Sequence, residues 1–333
     1  MNRRFILFSC LFALLVLSPF RSPAPLIYTP GEGWVYEPVG GEGKWQRARA
    51  KDQLIVAQDA FDREDYSLAL RAARRTVRVW PLSDFAPQAQ YLVGRSYEAK
   101  GFSERAFKEY QKLLEQYPKA INYEDVLLRQ YEIANRFLAG EWFRLWGYIP
   151  FFPSMEKTAD LYQKIVKNGP YSDIAPQAQM KIGEAREKQA NYPEAVKAYE
   201  RAADRYNDRP AIAADALFKQ ALAYHQQAER AEYDQNTAAQ AIATFTDFMT
   251  LFPNDPRVAE AQRIIADLKT EQARGNYEIA VYYEKQRRPA AARIYYNEVV
   301  TLLLEDPNSS YAMQARERLD ALNQELQSPE PQP

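Results

Sequence analysis

Histidine and cysteine are almost missing from this chain: its 333 residues contain one of each, His225 and Cys10. A disulfide within one copy needs two cysteines, so none can form. Zinc sites need several His or Cys ligands, and a histidine-based catalytic dyad would have a single candidate. Net charge is nearly absent too: 43 Lys and Arg against 44 Asp and Glu give −1, with no chain-wide pull toward nucleic acid. Glycine is scarce. Of 12, five (Gly31, Gly33, Gly40, Gly41, Gly43) lie in one short stretch, leaving seven between Lys44 and Pro333. Each glycine in a helix costs about 1 kcal/mol relative to alanine, so a glycine-poor, alanine-rich chain favours helix. Apolar residues make up 47%, enough for a sizeable core at this length. The composition predicts a folded all-α protein without catalytic, cofactor-binding or metal residues of its own.

What is present begins with a targeting pattern. Asn2-Arg3-Arg4 precedes an apolar run from Phe5 to Leu17 broken only by Ser9, and no acid occurs before Glu32. That is the pattern of a secretory signal, and the run is short for a membrane span. Residues 1–24 therefore read as a signal peptide or an uncleaved amino-terminal anchor. Ser22-Pro23-Ala24 has small residues at cleavage spacing, although Pro25 is a poor neighbour for the cut. Leu7-Phe8-Ser9-Cys10 loosely resembles a lipidation motif, but the apolar run continues past Cys10, which favours a cysteine buried in the signal. Removing residues 1–24 takes away three arginines and no acid, moving the net charge from −1 to −4. Residues 25–45, rich in Pro and Gly, read as an extended tether.

The remainder repeats itself. Pro81-Leu82-Ser83-Asp84-Phe85-Ala86-Pro87-Gln88-Ala89-Gln90 returns at an offset of 89 as Pro170-Tyr171-Ser172-Asp173-Ile174-Ala175-Pro176-Gln177-Ala178-Gln179, with eight of ten residues identical. The same offset relates Gly94 to Gly183, Glu98 to Glu187, Ala106 to Ala195 and Tyr110 to Tyr199. Weaker echoes follow at Asp255-Pro256 and near Asn308. Helix stops recur at Trp80-Pro81, Tyr117-Pro118 and Phe252-Pro253, because proline cannot donate the backbone bond that a continuing helix needs. Pro81 and Pro118 lie 37 residues apart, close to the 34-residue tetratricopeptide unit. The spacing predicts a tetratricopeptide-like α-solenoid of about six helical pairs (46–81, 86–118, 121–168, 173–207, 209–253, 255–305). A capping helix near 309–326 closes it, so the solenoid occupies 46–326, and the Pro-rich tail 327–333 is disordered by composition.

Two irregularities interrupt the repeats. An insertion at 140–153 holds Trp142, Phe143, Trp146, Tyr148, Phe151 and Phe152. It either folds back onto its own solenoid or presents an aromatic patch to a partner or a membrane interface. From Arg257 to about Arg288 no proline or clear turn occurs, which reads as one long helix. Groove-facing positions inferred from periodicity are Gln88, Tyr91, Arg95, Gln177, Lys181 and Glu184, with ordinary solvated surface as the competing reading. His225 reads as structural or surface. The runs Arg71–Arg75 and Lys285–Arg288 read as solvated faces, with an acidic partner or a lipid headgroup as the alternative.

The segment Phe245-Thr-Asp-Phe248, Phe252-Pro253-Asn254, Ala261, Leu268-Lys269, Ala280-Val-Tyr282-Tyr283-Glu284, Ala291-Ala292-Arg293 and Val299 resembles the carboxy-terminal part of the BamD family. These are tetratricopeptide outer-membrane assembly lipoproteins, also called YfiO or ComL-like. Ala57, Ala60-Phe61, Tyr66 and Ala69 resemble the family's first repeat, and the likeness extends over roughly 46–322. It implies an exported scaffold at the periplasmic face of the outer membrane. Its partners would be an outer-membrane β-barrel assembly protein with periplasmic domains and other assembly subunits, with no nucleic acid; contact with the membrane surface stays open. The family is usually anchored by a lipidated cysteine just after the signal, and this chain has no well-placed one. The aromatic insertion and the last pair, with Tyr282 and Tyr283, are the expected contact surfaces. A periplasmic tetratricopeptide adaptor for cell-wall synthesis or division is the alternative, although residues 25–60 lack the coiled coil such relatives often carry. An enzyme would need a catalytic domain for which the repeats leave no space.

Overall fold

The computed structural model describes residues 26–29, 33–36, 45–119, 123–145, 149–230 and 235–327. Residues 1–24, read as a signal or anchor, most of the segment read as a tether, and 328–333 of the segment 327–333 read as a disordered tail lie outside them. Within the tether segment, β1 (Leu26–Thr29) and β2 (Gly33–Tyr36) pair antiparallel, with Leu26 opposite Tyr36. The tether reading had no such pairing.

Thirteen helices make up most of the rest of the described chain, ordered as six pairs and a cap: the all-α tetratricopeptide-type architecture that the 89-residue offset predicts. The chain divides after Val126 into two compact units. The first holds α1 (Ala50–Asp62), α2 (Tyr66–Val79), α3 (Ala86–Ala99) and α4 (Ser103–Gln116). α5 (Tyr123–Leu138) begins at the division, and its longer part lies in the second unit. That unit continues with α6 (Met155–Asn168), α7 (Ala175–Lys188), α8 (Tyr192–Arg205), α9 (Pro210–Arg230) and α10 (Gln235–Leu251). α11 (Val258–Lys285), α12 (Pro289–Leu302) and the cap α13 (Ser310–Gln327) complete it. The uninterrupted stretch after Arg257 is indeed one helix of 28 residues.

Local chemistry sets these boundaries. Asp65 caps α2 by accepting from the Leu68 N–H at 3.0 Å, and Ser154 caps α6 by accepting from Lys157 N–H at 3.3 Å. Pro87, Pro176, Pro193 and Pro289 sit in the first turns of α3, α7, α8 and α12, where a missing N–H costs nothing. Trp80, Tyr117 and Gly169 end α2, α4 and α6, each directly before a proline. The turn inside each of four pairs places one residue in the left-handed region: Glu64, Gly101, Ala190 and Arg287.

Small residues let the helices approach, and aromatics fill the gaps. Ala57, Ala69, Ala73, Ala89 and Ala106 are fully buried in the first unit, together with Tyr110, Phe107 and Leu113. A large side chain buried in this way contributes on the order of 2–3 kcal/mol. The repeat carries its own polar signature: Gln90 Nε2 donates to the Glu109 carbonyl at 3.0 Å, and Gln179 Nε2 to the Ala198 carbonyl at 2.9 Å, 89 residues on. Tyrosines of the second helices meet carboxylates of the first ones. Tyr110 donates to Glu98 at 2.9 Å and Tyr296 to Glu284 at 2.8 Å. Tyr199 is buried beside Glu187, but its hydroxyl stops short of hydrogen-bond geometry with any described residue.

Candidate partner-binding surfaces

The first unit contains a cleft of about 770 Å³ between the end of α1, the face of α3 and the residues that follow α4. Phe61, Leu92, Leu113 and Val126 give it apolar walls; Asp62, Asp84 and Lys119 put charge of both signs on it. Gln88, Tyr91 and Arg95, spaced to share one face of α3, all line it. The Arg95 guanidinium carbon lies 5.3 Å from the centroid of the Phe61 ring and 5.9 Å from that of Tyr91. Arg95 makes no ion pair with a described residue, so the two rings hold a charge whose donors remain available. The Tyr91 hydroxyl is hydrogen-bonded to Asp125, which fixes that ring. Such a cleft suits an extended or helical peptide: apolar side chains against the walls, and a carbonyl or carboxylate at Arg95. Periodicity on α3 does not reveal Phe61, which comes from another helix.

The second unit carries the aromatic insertion. β3 (Phe143–Leu145) and β4 (Ile149–Phe152) form a hairpin, with Phe143 opposite Phe152, Leu145 opposite Ile149, and an irregularity after Phe143. Phe143 is 3% exposed and stacks on Phe137 of α5, ring centroids 4.1 Å apart. Trp142, Ile149 and Phe151 are 53–54% exposed and Phe152 is 40% exposed. Among the described residues the two readings of the insertion are thus divided: Phe143 packs back onto the helices, and Trp142, Phe151 and Phe152 are exposed. Lys157 Nζ lies 5.2 Å from the Phe143 ring and 5.6 Å from that of Phe152, bracing the hairpin on α6. Trp146 and Tyr148 lie outside the described residues.

The remaining expected residues fall elsewhere in the same unit. Lys181 on α7 binds Glu184 at 2.7 Å within its own helix, so its charge is already engaged. Burial acts to raise the Glu184 carboxyl, but the hydrogen bond from Lys181 and the charges of Lys181, Lys188 and Lys219 hold it below the ordinary value. Glu187, one turn on, goes the other way: burial, with the Glu184 charge, pushes it up against the opposing Lys219. Near the carboxy terminus, Tyr282 is exposed while Tyr283 stacks on Tyr295, centroids 5.5 Å apart. Burial and Tyr277 push the Tyr296 hydroxyl up to about 12, and Arg318 of the cap pairs with Glu284. His225 faces Glu229 one turn along α9 at 3.5 Å. Among the described residues no group of three or more His, Cys, Asp or Glu could hold a metal ion, and no helix is long and apolar enough to cross a membrane.

Two families match the sequence. The one described as outer membrane lipoprotein YfiO matches residues 154–304, from the cap of α6 to just past α12, and a tetratricopeptide-repeat family matches residues 57–121. The aromatic hairpin lies between these segments. No curated protein matches the sequence significantly. Among solved structures, the carboxy-terminal part of a tetratricopeptide-repeat protein from Cytophaga hutchinsonii is 16% identical; the likeness covers 80% of this chain and 87% of that one, at a TM-score of 0.35. A tetratricopeptide-repeat protein from Parabacteroides merdae is 13% identical over 82% of this chain and 98% of its own, at a TM-score of 0.31. YrrB, described as a tetratricopeptide protein with an unusual peptide-binding site, is 12% identical over 65% and 92%, at a TM-score of 0.34. Likenesses this distant carry no argument about function.

Proposed function

Starting from a tetratricopeptide-repeat protein of the BamD (YfiO) type, we propose that it is a non-enzymatic scaffold that supports assembly and insertion of outer-membrane β-barrel proteins. It is exported through residues 1–24 and works at the periplasmic face of the outer membrane. Its partners are a barrel-assembly protein with periplasmic domains and other assembly subunits. The observation that carries this reading is the YfiO match, which takes in the whole helical run from α6 to α12.

Binding of this kind needs no covalent step. The cleft beside Arg95 receives a peptide segment, while Trp142 and Phe151 on the hairpin and Tyr282 on α11 offer exposed rings that lose water on contact. Rings with few rotatable bonds are ordered at small entropic cost, which favours them as anchors.

Affinity capture from gently solubilised envelope, followed by mass spectrometry, tests the reading. Recovery of a barrel-insertion protein with its POTRA-type domains is expected. Recovery of cell-wall synthases or division proteins in its place would move the chain to the adaptor class.

A further inference from the structure

Comparison of the chain with its own repeat exposes a second site. A cleft of about 390 Å³ lies between α6, α7 and α8, and its lining includes Lys167, Arg201 and Arg205 but no carboxylate. None of these three cations makes an ion pair with a described residue. Shifted back by 89 residues, Arg201 corresponds to Lys112, Arg205 to Gln116, and Lys167 to Arg78. The first repeat also has Glu109 at this place, where it binds Lys112 at 3.0 Å and accepts from Gln90 at 2.9 Å. In the second repeat Ala198 replaces Glu109. The polar frame is kept, since Gln179 still donates to the backbone of residue 198. Gln163 of the lining corresponds to Arg74, so both repeats carry three cations at these positions, and what the second repeat has lost is the one acid that engages them.

We propose that this cleft binds the phosphate group of an anionic lipid headgroup. Three cations around an open depression, with two guanidinium groups able to grip oxygens in pairs, fit a phosphate oxyanion. Two features favour a lipid surface as its source. The cations are exposed, as contact with a flat layer requires. Beside Pro170 of the lining, Tyr171 is 92% exposed, an amphipathic ring of the type favoured at headgroup level. Unpaired cations near an anionic membrane each strengthen binding several-fold. This site is independent of the scaffold reading, which the envelope capture tests separately.

The test is vesicle flotation of the full chain with phosphatidylcholine alone and with phosphatidylcholine containing phosphatidylglycerol. Binding to the neutral vesicles is the baseline, which includes whatever the amino-terminal apolar run contributes. The increment due to phosphatidylglycerol is the readout. R201Q/R205Q, which changes only exposed side chains, is expected to lower that increment roughly 30-fold at an unchanged baseline. A198E, which copies the first repeat, is expected to lower it as well. Equal increments in the wild type and R201Q/R205Q would overturn the proposal. Abolition of the increment by low millimolar inorganic phosphate, at constant ionic strength, would overturn it in favour of a soluble phosphate ligand.

Discussion

A methyl group on Gly183 would stand 2.4 Å from Cε1 of Tyr199, and one on Gly94 would stand 2.4 Å from the same atom of Tyr110. Both tyrosines are fully buried, so the ring cannot swing away and the helix backbone must move instead. Glycine is required here by the thickness of the neighbouring ring, in the middle of helices where alanine is otherwise favoured. G183A is therefore expected to destabilise by about 1–3 kcal/mol, the usual cost of overpacking, despite the better helix propensity of alanine. Thermal unfolding measures this, and in a double-mutant cycle with Y199A the penalty should largely vanish.

Glu187 predicts a pH dependence whose sign follows from burial. Its folded pKa lies above the ordinary glutamate value of about 4.3, so the folded state binds a proton more readily than the unfolded chain does. The group's favourable contribution is fully present below that ordinary value and is lost as pH rises through the raised one. E187Q, uncharged throughout, should flatten the melting profile across that window and raise the melting temperature at pH 7. Glu184, held below its ordinary value, behaves oppositely, and E184Q should lose stability at neutral pH.

Arg95 and Lys181 give a paired comparison. Arg95 lies against Phe61 and Tyr91 with donors free for a ligand, whereas Lys181 is engaged by Glu184. R95A should weaken partner capture by about tenfold, the scale of one lost charge-assisted contact. K181A should leave capture within about twofold, surface substitutions away from such features being near neutral. Binding measured with each purified variant and the recovered partner decides between these outcomes.

Within the hairpin, stability and binding should separate residue by residue. F143A removes a buried ring stacked on Phe137 and should cost about 3–5 kcal/mol. W142A and F151A remove exposed rings; their melting should shift by no more than about 0.5 kcal/mol while partner capture falls. Unfolding curves and capture with the same three variants check both halves.

Most of the helical architecture was legible because it rests on signals that act locally. Prolines after Trp80 and Tyr117 stop helices, and the 89-residue echo gives the period. The run without proline after Arg257 gives the long α11. The strands of the insertion were not legible: Phe143-Arg144-Leu145 is too short to display alternation, and Pro150 argues against a strand. Tyr91 and Arg95 could be placed on one face of α3, but the cleft needs Phe61 and Asp84 from other segments, which no helical period relates to them. The cationic cleft was visible only as an exchange between repeats, Ala198 for Glu109, whose meaning depends on which side chains meet across three helices.

The 28-residue length of α11, about 42 Å at the helical rise, has a mechanical consequence. Its first half, through Ala261, Ile264, Ile265 and Leu268, belongs to the core shared with α9 and α10. Its second half, through Ala273 and Ala280, belongs to the core shared with α12 and α13. The handover falls beside Gln272, which donates to the Gln235 carbonyl at 3.1 Å. Two neighbouring cores threaded on one rod leave no joint between them. A break in α11 would therefore disturb both cores at once.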